Sequence, residues 1–114
     1  MNQEQKARFA DALARVSGDD EILTTLASIA SEDAPELLHR LDESIEDGDW
    51  AGYANTAHSL KGLLSTFETR EPVSEIQPLI DAARRAEGDA VVARHATLRA
   101  KLQTLIVEIE SLSA

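Results

Sequence analysis

The stretch from Trp50 to Phe67, WAGYANTAHSLKGLLSTF, carries the most regular pattern in the chain. Its apolar residues Trp50, Tyr53, Ala57, Leu60, Leu64 and Phe67 recur three or four positions apart from end to end. At about 100° per residue these positions share one face of an α-helix, whereas a half-buried strand would alternate with period two. The same rotation sends Asn55, His58, Gly62 and Ser65 to the outer face or its flank. That outer face holds an oddity, because AHSLKG at positions 57–62 places a glycine in the helix interior directly after a lysine. Glycine there costs about 1 kcal/mol relative to alanine. A chain shaped only for a stable helical core has no use for it.

Working outward, no other segment alternates with period two over a strand's length, and further helical stripes flank this one. Phe9, Leu13 and Val16 form a short first stripe closed by Ser17 and Gly18. Asp19 and Asp20 then supply an N-cap and a negative first turn. The second long helix is read on Ile22, Leu26, Ile29, then Leu37 or Leu38, Leu41 and Ile45, and stops at Asp47, Gly48 and Asp49. Pro35 inside it predicts a kink or a brief interruption, with Ser31 or Asp33 as a new cap. Beyond Phe67, TREPVSEIQP contains two prolines, and a helix becomes regular around Val73, Ile76, Ile80 and Ala83 before ending at Glu87, Gly88 and Asp89. Pro78 predicts a late start or a bend there. The last helix takes Val91 or Val92, His95, Leu98, Leu102, Leu105, Ile109 and Leu112. Short connections imply antiparallel neighbours, so the expected fold is all-α: an up-down-up-down four-helix bundle with a short extra N-terminal helix as a lid, in a single domain over 1–114.

The composition agrees. A length of 114 residues suits one small core, and 43% apolar with only 4% aromatic content means a core of Leu, Ile, Val and Ala. The net charge of −10 argues against nucleic acid and anionic membrane as partners, since phosphate neutralisation needs clustered Lys and Arg. Without cysteine there is no disulfide framework and no thiolate metal site. No apolar run approaches about 20 residues, and MNQEQKARF lacks the apolar stretch of a signal peptide. The expectation is a cytoplasmic, monomeric protein, or one module of a longer chain.

The outer face of the central helix has the makings of a chemical site. An exposed imidazole is largely neutral near pH 7 and keeps a lone pair on one ring nitrogen, so His58 can act as a nucleophile. Lys61, one turn along with its Cβ about 5 to 6 Å away, can offset negative charge brought to the ring. Gly62 removes the side chain that would stand beside it, so another protein can approach the backbone.

AHSLKG, Ala57 to Gly62, resembles the signature of histidine phosphotransfer (HPt) domains, helical bundles that relay a phosphoryl group between receiver domains. The continuation Ser65, Thr66 and Phe67 is similar to that in the phosphotransfer domain of chemotaxis kinases. GDDEIL at Gly18 to Leu23, APELLHRLDESIEDGDW at Ala34 to Trp50 and ARRAEGD at Ala83 to Asp89 resemble further family segments, so the likeness spans nearly the whole chain. The resemblance implies that His58 accepts the phosphoryl group, that Lys61 stabilises it and that Gly62 permits receiver docking. It implies receiver domains of response regulators or hybrid histidine kinases as partners, with a Mg²⁺ ion on the receiver and no cofactor on this chain. The chain departs from the family pattern in three respects. Leu63 and Leu64 are bulky where small residues usually follow, which makes Leu63 a candidate, with Ser65, for receiver docking. Glu68 replaces a glycine common near the end of this helix. The family often holds the histidine's second nitrogen with a Gln or Glu from the next helix; ungapped counting lands on Ile80, a one-residue shift gives Asp81, and Gln77 shares the face of Asp81. Gln77 and Asp81 are therefore the candidates for orienting His58.

Other residues carry less. Glu36 and His39 form one Glu-x-x-His element, but a di-metal bundle needs two plus further glutamates. His95 falls within an apolar stripe and reads as a partly buried or boundary histidine, not a ligand. Trp50 reads as an anchor for the start of its helix, and Asp42, Glu43, Glu46, Asp47 and Asp49 as a solvated acidic face. No phosphate-binding glycine loop suggests ATP hydrolysis. Two functions compete: a phosphocarrier, not an autonomous kinase, that relays through His58, and a non-phosphorylated adaptor or inhibitor that binds receiver or kinase domains through the same surface.

Overall fold

The computed structural model describes residues 1–113, whose regular elements are all helical. The N-terminal stripe becomes two short helices, α1 Gln3–Arg8 and α2 Ala10–Arg15, broken at Phe9. Asn2 and Gln5 start α1 with reciprocal side-chain to backbone bonds. Helix α3, Asp20–Asp47, is capped by Asp19, whose carboxylate accepts from the amides of Glu21 and Ile22. It ends at Gly48, which takes the left-handed conformation (φ 65°) that glycine adopts without steric cost.

Two expectations for α3 need correction. Pro35 does not interrupt the helix, which runs through it without a new cap. The Ser31 hydroxyl donates back to the Ala27 carbonyl at 2.7 Å instead. Pro35 lies on the exposed side, so water can reach the carbonyl deprived of its helical donor. The buried face is also displaced from the isoleucine stripe. It is lined by Leu23, Ala27, Ala30, Ala34, Leu38 and Leu41, whereas Ile22 and Ile29 remain 47% and 48% exposed. Alanines let neighbouring helices come close, and a reading weighted by side-chain bulk passes them over.

Helix α4, Trp50–Leu64, begins with Asp49 accepting from the Gly52 amide at 2.9 Å. Its stripe is buried as read, at Tyr53, Ala57, Leu60 and Leu64. The helix stops at Leu64, and Phe67 is buried beyond its end, edge-on to Phe9 with ring centroids 6.3 Å apart. A 3₁₀ turn at Val73–Glu75 leads into α5, Ile76–Arg84. Pro78 is the third residue of α5, within the first turn, where a backbone N–H has no helical acceptor to lose. Helix α6, Gly88–Ser113, buries Val91 and leaves Val92 exposed. Helix α3 packs against α4 and α6, and α5 packs against the same two.

Polar groups also cross between helices. The Tyr53 hydroxyl meets His95 Nδ1 at 2.9 Å, His95 Nε2 donates to Asp42 at 2.8 Å, and Arg99 Nε donates to both Asp42 oxygens. Asp42 accepts only, so Nε2 carries the proton between them. Burial pushes the Asp42 carboxyl up, but the bonds from His95 and Arg99 outweigh it and hold the group below the usual carboxylate range. Burial likewise pushes the Tyr53 hydroxyl above its usual range. Asp42 therefore ties α3 to α6, which corrects its reading as part of a solvated acidic face. His95 is buried, more fully than the partly buried or boundary place expected for it.

Candidate functional site

The rotation that buries Ala57 and Leu60 leaves His58 exposed on the third turn of α4. Among the described residues no hydrogen bond or ion pair engages its imidazole, while the neighbouring Ser59 hydroxyl donates back to the Asn55 carbonyl at 3.2 Å. One turn on, Gly62 has ordinary helical geometry, and a Cβ built there would meet nothing within 4 Å. Neither backbone conformation nor internal packing requires this glycine, so the gap it leaves opens outward.

Lys61 is half-buried. Its ammonium crosses to α5 and donates to Gln77 Oε1 at 2.8 Å, and Gln77 Nε2 donates in turn to Asp81 Oδ1 at 2.9 Å. Gln77 and Asp81 thus join Lys61, and neither bonds to His58. Ile80, on which ungapped counting lands, is fully buried among core residues and offers the ring nothing polar. Leu63 is half-buried and lines a surface recess with Ser59, Leu37, Glu36, Arg40 and Asp33, while the Ser65 hydroxyl is turned onto the Lys61 carbonyl. Glu36 and His39 do not converge, since Glu36 pairs with Arg40 and His39 with Glu43.

A family model described as the Hpt domain matches residues 25–110. The chain belongs to the Hpt domain family. No curated protein and no solved structure shows a significant match. Hpt domains transfer phosphoryl groups on histidine within phosphorelays, as phosphocarriers and not kinases, in contact with receiver or kinase partners. The Hpt match takes in most of α3 and all of α4 and α5, and leaves α1 and α2 outside it. Among the described residues no helix is long and apolar enough to cross a membrane.

Sequence reasoning about this Hpt domain missed the role of Glu68. Its buried carboxylate accepts from Arg8 Nη1 at 3.1 Å and from the backbone amides of Thr69 and Arg70, which ties α1 to the segment after α4. Burial raises this carboxyl, but the Arg70 amide and the Arg8 and Arg70 guanidiniums more than offset that and hold it below the usual carboxylate range. The only hint in the sequence was an acidic residue where the family places glycine.

Proposed function

We propose that this Hpt domain is a phosphorelay intermediate in which His58 accepts a phosphoryl group from a phospho-aspartyl receiver and passes it to another receiver. The observation that carries this reading is the unengaged imidazole beside open backbone at Gly62, on a helix whose opposite face is locked in the core. In the forward step the lone pair of an imidazole nitrogen attacks phosphorus. The bond to the aspartyl oxygen breaks, its electron pair returns to the carboxylate, and the proton on the other ring nitrogen can leave to water. Little covalent work falls to the domain, which presents the nucleophile in line. Lys61 offsets the charge that arrives, and Leu63 and Ser65 lie where a docked receiver would rest. The receiver would bring a Mg²⁺ ion, and this chain needs no cofactor of its own.

The frame for this is an up-down-up-down four-helix bundle with α1 and α2 as its lid, supported by the two-residue link between α3 and α4. We take 1–114 as one domain, acting as a monomer in the cytoplasm. The charge of −10 turns it away from nucleic acid and towards basic partner surfaces. A second reading, an unphosphorylated adaptor, is favoured by the buried Ile80, which leaves His58 without an orienting partner.

Incubation with a phosphorylated receiver separates them. The expected result is acid-labile phosphate on the wild-type chain and none on His58→Gln. Binding of the receiver without label on either protein would overturn the relay in favour of the adaptor.

A further inference from the structure

We infer that Gln77 and Asp81 are positioning residues for Lys61 and do not act on His58 directly. This rests on the reading of His58 as the phosphoryl acceptor. The order of the chain Lys61, Gln77, Asp81 is set by its chemistry. An ammonium only donates, a carboxylate only accepts, and an amide does one at each end. Turned around, the Gln77 amide would set donor against donor at Lys61 and acceptor against acceptor at Asp81, so Asp81 dictates which end of Gln77 faces α4. Gln77 and Asp81 lie four apart on one face of α5. That helix is anchored by Ile76, Leu79, Ile80 and Ala83 in the core, so the acceptor offered to Lys61 is held still.

The interposed amide matters electrostatically. A carboxylate in direct contact would hold the Lys61 ammonium by a charge-assisted bond and spend its charge there. The neutral Gln77 oxygen aims the ammonium while binding it more weakly than a phosphoryl group does. Lys61, one helical turn from position 58, is therefore parked on Gln77 and released when a phosphorylated imidazole competes for it. The full negative charge of Asp81 stays one residue removed.

The test is a mutant cycle read with a small donor, phosphoramidate, which reaches His58 without a docked protein. Gln77→Glu is expected to slow phosphorylation of the full chain about three- to fivefold, through an ion pair that competes for Lys61. Gln77→Met is expected to slow it about twofold through lost aim, and Asp81→Leu by up to about the same factor, because the Gln77 amide then loses the acceptor that orients it. In a Lys61→Ala background all of these differences should vanish, because the residues act through the missing ammonium. Differences that persist there would overturn the inference. So would an unchanged ¹⁵Nζ signal of Lys61 in Gln77→Met, a readout that needs no phosphorylation. If a receiver fails to label the wild type while the cycle and the ¹⁵N signal behave as expected, the relay reading falls and the positioning chain stands.

Discussion

Gly62 shows most directly how one residue can serve a partner at the expense of its own helix. Since a Cβ there meets nothing, Gly62→Ala should raise folding stability by about 1 kcal/mol, read from denaturant unfolding. Gly62→Leu should also fold, yet slow phosphoryl transfer from a receiver at least about tenfold while phosphorylation by phosphoramidate stays unchanged, because only a docked protein needs the gap. Equal receiver kinetics for wild type and Gly62→Leu would contradict the role given to the bare backbone. Glu68 is the contrasting case, a residue whose worth is internal. Its folded-state pKa lies below its unfolded one, so the stability it contributes is complete above the ordinary carboxylate value and is lost as pH falls through the lower, folded-state value. Glu68→Gln should lower stability by about 1–3 kcal/mol at pH 7, and the gap to wild type should close on acidification. A gap that is constant from pH 7 to strong acid would show that charge is not what Glu68 contributes.

Elements behave less like their sequence patterns than residues do. The α4 stripe was legible because apolar residues, with Tyr53, Leu60 and Leu64 bulky among them, recur along its whole inward face, so periodicity and burial coincide. In α3 they diverge: small residues face the neighbours and two isoleucines face out, because interhelical distance, which no local pattern encodes, selects the face. The start of α6 depends on a contact of the same kind. Trp50 lies against Gly88, where an added Cβ would come within 2.4 Å of the indole ring. Gly88→Ala should therefore cost about 1–3 kcal/mol and alter the emission of the only tryptophan, which reports on that contact. Wild-type emission and stability in Gly88→Ala would mean that the ring is free to move away.

At the scale of the whole molecule, sequence and structure divide the problem cleanly. The all-helical class, the buried stripe of α4 and the outward placement of His58 and Gly62 follow from the sequence, because all three depend on rotation per residue along one helix. The route of the Lys61 ammonium to Gln77, the link from Asp42 through His95 to Tyr53, and the hold of Glu68 on Arg8 join groups that lie 16, 42, 53 and 60 positions apart. Such pairs exist only once α1, α3, α4, α5 and α6 are packed together. A helix turns its residues by a constant angle that the chain carries within itself, whereas a bond between helices depends on where a second helix comes to rest, and only the tertiary structure decides that.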